Sequence, residues 1–202
     1  MGELDPLRGS AVLARRSAPD PLDDAETRLG NNSMKYFSRE WHSGAIPDDE
    51  VDDVRDRYWA FIASIADSLT DPVRELATAL NLHDGLVQEL VVDHLKSTVA
   101  ILLRCGDLQV GYFDVRLVYS GVPTSVLDVA MLREIVSDPE SELLYDEVDR
   151  SEHGYVHRML FWPYRETRID FSSLRIARDP KPDRSIAAPS GARFRSVGSG
   201  VV

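Results

Sequence analysis

Residues 82–120 read LHDGLVQELVVDHLKSTVAILLRCGDLQVGYFDVRLVYS. In Ser97–Arg104 the apolar residues Val99, Ile101 and Leu103 alternate, and in Tyr112–Tyr119 Phe113, Val115, Leu117 and Tyr119 do the same. Period two in two neighbouring segments, with turn residues between them, predicts antiparallel strands with one buried face. A third β-type segment precedes them after Gly85. This pattern decides the architecture and offers little chemistry.

Upstream, Pro47–Leu69 reads as a helix. Val51, Val54, Tyr58, Phe61, Ile62, Ile65 and Leu69 recur at three- and four-residue steps and share one stripe. Asp48, Asp49, Glu50, Asp52 and Asp53 crowd its first turns, where carboxylates favour the positive end of the helix dipole. A second helix is predicted from Asp71 as N-cap, with Pro72 at its first position, ending near Asn81. Its apolar face is Val73, Leu76, Ala77 and Leu80.

Downstream, Thr124–Ser137 fits a helix with Ser125 as a cap, and Asp138-Pro139 breaks it. Leu143–Val148, Tyr155–Trp162 and Arg168–Phe171 read as further strands. Helices first and strands later predict an α+β fold, with N-terminal helices packed on an antiparallel sheet of about six strands. Residues 34–178 are expected to form the single domain. Residues 1–33 and 179–202, rich in Gly, Pro and Ser without a hydrophobic period, read as a disordered extension and a tail. Met34 opens the first aromatic pair of the chain and reads equally as a domain-edge residue or as a native start.

The formal charge is −11. Residues 1–33 net −2 and residues 179–202 net +2, so residues 34–178 alone net −11. Such a domain repels phosphate backbones, which argues against nucleic acid as a partner and for a basic protein. One cysteine, Cys105, permits no internal disulfide and suits a reducing compartment, so a cytoplasmic location is expected. No apolar run is long enough for a membrane span.

His83 and Asp84 are the tempting catalytic pair, since a His–Asp dyad can bind a metal or orient a general base. In an extended chain, adjacent side chains point to opposite faces, and an Asp-Gly turn into a strand accounts for both residues structurally. On that reading Asp84 caps the turn by accepting a backbone N–H. His153 and His157 are four apart, but in a strand they stand about 13 Å apart at ~3.3 Å per residue, too far to share an ion. The acidic group Glu142, Asp146, Glu147, Asp149 and Glu152 reads as a solvated strand face. No cofactor and no metal centre is expected.

Tyr36, Phe37, Trp41, Tyr58 and Trp59 bracket the first helix. Their default role is packing. Trp41 and Trp59 are the candidate binding residues, because exposed together they would form an interface anchor. A cavity lined by Trp59, Tyr112 or Trp162 would instead indicate a small-ligand site.

Met34-Lys35-Tyr36-Phe37 with Trp41, then Leu82-His83-Asp84-Gly85, then Leu144-Tyr145-Asp146-Glu147-Val148 with His157-Arg158-Met159-Leu160-Phe161, resemble a family of uncharacterised bacterial proteins whose members open with a Met-Lys-Tyr-Phe type sequence. The resemblance spans roughly residues 34–178 and implies no activity. The sheet half also resembles small bacterial immunity-type proteins, which bind toxins, at the level of fold. The resulting expectation is a non-enzymatic interaction module for a basic protein. The alternatives are a hydrolase using His83 and Asp84, or a small-ligand-binding domain.

Overall fold

The alternating segments fold into the hairpins that their periodicity predicts. In this computed structural model, which describes residues 34–152, 154–185 and 193–198, β1 (Gly85–Asp93), β2 (Thr98–Asp107) and β3 (Gly111–Ser120) form an antiparallel meander. Asp93 and Asp107 each turn the chain by accepting two backbone N–H groups, from Leu95 and Lys96 and from Gln109 and Val110. Gly106 is obligatory at the second turn. Its φ is +97°, and a Cβ there would stand 2.0 Å from the Gly111 carbonyl oxygen.

Then follow β4 (Glu142–Ser151), β5 (Gly154–Phe161), β6 (Arg165–Phe171), β7 (Ser173–Lys181) and β8 (Arg193–Val197). The sheet order is β6-β5-β4-β1-β2-β3-β7, and β8 lies parallel to β1 at Glu89–Asp93. Among the described residues the sheet therefore has eight strands rather than about six. The expected tail over 179–202 does not describe Asp179–Lys181, which close β7, or Arg193–Val197, which form β8. The rest of that stretch from Ile186 to Ala192 and beyond Gly198, like the expected extension at 1–33 and His153, lies outside the described residues.

The sheet is strongly curled. Phe171 ends β6 and Ser173 begins β7, so one continuous run supplies both outer strands. β5 and β3 are four strand spacings apart in the sheet order, or about 19 Å if the sheet were flat. Yet the Tyr119 hydroxyl of β3 lies 2.7 Å from His157 Nδ1 of β5. Only rolling of the sheet brings them together.

Four α-helices are present among the described residues: α1 (Arg39–His42), α2 (Asp48–Ile65), α3 (Asp71–Thr78) and α4 (Val129–Ser137). Three precede the sheet and α4 interrupts it between β3 and β4, so the helices are not all N-terminal. The α2 stripe is buried as predicted at Val54, Tyr58 and Ile62, and Leu69 is buried beyond the helix end. The cap of α3 is Thr70, one residue earlier than expected. α4 begins at Val129, because Asp128 rather than Ser125 accepts the Met131 N–H, at 2.9 Å.

The acidic residues of β4 are not a solvated face. Glu147 is 1% exposed. Its carboxylate accepts the backbone N–H groups of Lys35 (2.9 Å), Tyr36 (2.7 Å) and Phe37 (2.7 Å). Glu166 accepts the Met34 N–H at 2.9 Å. Asp149 pairs with Lys35 and with the buried Arg158. These carboxylates take the place of a strand partner for Met34–Phe37, whose backbone donors would otherwise be unpaired against the sheet.

Candidate functional site

The clamp on residues 34–37 sets the first wall of a cavity. Phe37 is held by Glu147, and its ring meets Trp41 at 5.0 Å and Tyr58 at 4.9 Å. Trp41 crosses Tyr145 at 89° with centroids 4.9 Å apart, and Tyr58 meets Trp59 at 5.4 Å. The chain Tyr145–Trp41–Phe37–Tyr58–Trp59 is thus a continuous aromatic surface. Two local devices hold it in place. Trp41 Nε1 donates to the Val51 carbonyl at 3.2 Å, and the Tyr58 hydroxyl accepts the Val148 N–H at 3.0 Å. The second bond ties α2 to β4. Burial, and after it the Asp146 charge, raises the Tyr58 pKa far above that of a free phenol.

Facing the rings are Leu76, Leu80, Leu82 and Leu144. The volume of this half-open cavity is about 360 Å³, within the roughly 300–1,000 Å³ usual for small-ligand sites. A β-bulge between Leu143 and Tyr145 breaks the strand alternation, so that Leu144, Tyr145 and Asp146 all line the cavity. The remaining polar lining is Arg55, Thr78, Asn81 and His83.

Asp146 is the one carboxylate on this surface. Its Oδ2 lies 3.0 Å from Nε2 of His157, a histidine with no exposed surface. His157 Nδ1 is 2.7 Å from the Tyr119 hydroxyl. Tyr119, His157 and Asp146 thus form one hydrogen-bonded chain from β3 through β5 to β4, with the fully buried imidazole at its centre. Among the described residues, His157 is the only hydrogen-bond partner of Asp146.

The structure brings Trp41 and Trp59 onto one surface. Trp59 is 46% exposed and Trp41 half-buried. Of the three residues whose presence would mark a small-ligand site, Trp59 lines the cavity, whereas Tyr112 and Trp162 do not.

His83 and Asp84 do converge, against the expectation for an extended chain. Asp84 has φ of 58°, and this left-handed turn swings its carboxylate to 3.0 Å from His83 Nδ1. Asp84 does not cap the turn. Asn81 does, accepting the His83 N–H at 3.0 Å, while the Asp84 N–H donates to the Leu143 carbonyl at 2.8 Å. Both side chains are solvent-exposed, and the His83 ring stands edge-on to Tyr145 at 5.0 Å. Among the described residues, no group of three or more His, Cys, Asp or Glu side chains is placed to hold a metal ion.

Tyr145 and the Asp146–His157–Tyr119 chain escape sequence reasoning. Tyr145 and Asp146 join the site through a bulge, and Tyr119 reaches His157 through the curl of the sheet. Neither leaves a local signal. The aromatic clustering around α2 was the one usable cue.

No family model and no curated protein matches this sequence. Among the described residues, no helix is long and apolar enough to cross a membrane.

Proposed function

We propose that this protein is a binding module that takes up a small organic ligand in the aromatic cavity. The observation that supports this reading most strongly is the 360 Å³ space walled by five aromatic side chains and carrying a few convergent polar groups. Packing alone does not call for Trp59 at its rim, because an exposed indole costs hydration without burying its full area. His83 enters this reading as a rim residue whose ring stands edge-on to Tyr145, with Asp84 paired to it.

A second reading concerns the outer face of α2. Glu50, Asp53 and Asp56 line a shallow groove there, with Arg57 beside them. That face, together with the net charge of −11, favours a basic protein as a macromolecular partner, the behaviour expected of an interaction module.

Saturation-transfer NMR with a panel of water-soluble aromatic and aliphatic fragments tests the ligand reading. Fragments should bind the wild-type chain and be displaced in Ala79→Trp, a substitution at an exposed position of the cavity lining that fills the space. An absence of bound fragments, or binding indifferent to Ala79→Trp, contradicts the reading.

A further inference from the structure

We infer that the cavity is selective for an organic cation, and specifically for an alkylated ammonium group. This rests on the ligand-binding reading and names its chemistry. Three observations carry it.

The first is the wall. Trp41, Tyr58, Trp59 and Tyr145 present π systems to one space, and the negative faces of such rings attract a cation held near the ring centroid. The second is Asp146. Among the described residues it is the one carboxylate on the lining, and its hydrogen-bond partner is the buried His157, which also bonds Tyr119. No described Lys or Arg pairs with Asp146. The basic side chains on the lining are engaged elsewhere. Arg55 reaches Asp52 at 2.9 Å, and His83 reaches Asp84 at 3.0 Å. Neither is seen to bond Asp146.

The third observation is the shortage of hydrogen-bond acceptors. Apart from the rings the lining is mainly Leu and Ala, the Thr78 hydroxyl already donates to the Arg74 carbonyl, and the Asn81 side-chain oxygen already accepts the His83 N–H. A primary ammonium brings three N–H donors and would leave some unpaired on entering this space. A fully alkylated ammonium has no N–H to satisfy. It sheds its water at lower cost and meets apolar contacts on its methyl groups, ring faces around it and one carboxylate at short range. The charge, the rings and the scarcity of free acceptors thus point to the same chemical class.

The test compares choline with its neutral carbon isostere, 3,3-dimethylbutan-1-ol, by titration against the full chain with tryptophan fluorescence as readout. Choline should bind about tenfold more tightly than the isostere, the scale of a partly desolvated cation–π site. Asp146→Asn, which keeps the shape and an acceptor for His157, should bring the two probes to within about threefold of each other. If Asp146→Asn does not fold, Trp59→Leu decides instead: at an exposed position, it should weaken choline and leave the isostere nearly unchanged, with the circular dichroism spectrum intact. Equal or tighter binding of the isostere by the wild-type chain overturns the cation inference and leaves the ligand-binding reading standing. So does binding of neutral fragments with no response to choline. If neither the probes nor the fragment panel bind, both readings fall. A choline preference that survives both substitutions overturns the assignment of the site.

Discussion

Replacing Glu147 by Ala should loosen the segment that forms one wall of the cavity. The side chain is 1% exposed and its carboxylate accepts three backbone N–H bonds, at 2.9, 2.7 and 2.7 Å, from Lys35, Tyr36 and Phe37. Hydrogen bonds to a charged acceptor contribute ~1.5–3 kcal/mol each. Three on one carboxylate do not add, and removal of a buried charge relieves part of its own desolvation, so the net loss should be about 2–4 kcal/mol. For a chain of this size that lowers the melting temperature by about 5–15 °C. Phe37 would lose its anchor and with it the contacts to Trp41 and Tyr58, so the near-ultraviolet circular dichroism of these rings should weaken before the main transition. Glu147→Gln should fall between wild type and Glu147→Ala, since its amide keeps one acceptor oxygen and turns an N–H toward donors. A Glu147→Ala protein melting within a degree of wild type, with unchanged aromatic dichroism, would refute the clamp.

Ile62 is 2% exposed at the centre of the α2 stripe, so Ile62→Asp should cost about 4 kcal/mol or more and leave little of the roughly 5–15 kcal/mol that a domain commands; a soluble variant with an unshifted melting curve contradicts the stripe. Burial alone would raise the pKa of Asp149, but the Lys35 ammonium, the Arg150 N–H and the Arg158 guanidinium together outweigh it and hold the group below its ordinary value. A depressed folded pKa means that this stabilisation is full above the ordinary carboxylate range and is lost as pH falls through the folded value. The melting-temperature gap between wild type and Asp149→Asn should therefore narrow on acidification below about pH 4, and a gap constant down to acid unfolding argues against the pairing. Cys105 is 1% exposed, and burial pushes its thiol up to about 12, so a disulfide reagent should label it only on unfolding; rapid labelling of the native chain would show that β2 is open there.

The legible part of the fold is the part held by local periodicity. β2 and β3 alternate apolar residues against polar ones, and the α2 stripe repeats at helical steps, so one-dimensional pattern and three-dimensional burial coincide. β7 and β8 are different. In Ser173–Lys181 only Leu174 and Ile176 keep the alternation, and Pro180 ends it. Arg193–Val197 is five residues long and pairs with β1 across about a hundred residues of sequence, so its partner is invisible locally. The site follows the same rule. Trp41 and Trp59 stood out because one shortly precedes α2 and the other lies within it. Asp146 and His157 did not, because a bulge and the curl of the sheet assemble them with Tyr119. The convergence of His83 and Asp84 depends on the positive φ of Asp84, which strand geometry does not anticipate.

The three tryptophans supply the most direct measurement of the central claim. Trp41 and Trp59 line the cavity, and Trp162 lies outside it at 40% exposure. In a nitrogen–proton correlation spectrum, each indole N–H gives a separate peak that can be followed as choline is added. The account predicts saturable shifts of the Trp41 and Trp59 peaks along a common binding curve, with the Trp162 peak stationary. Peaks that all stay in place, or a shift of Trp162 alone, would contradict a cation site in the aromatic cavity.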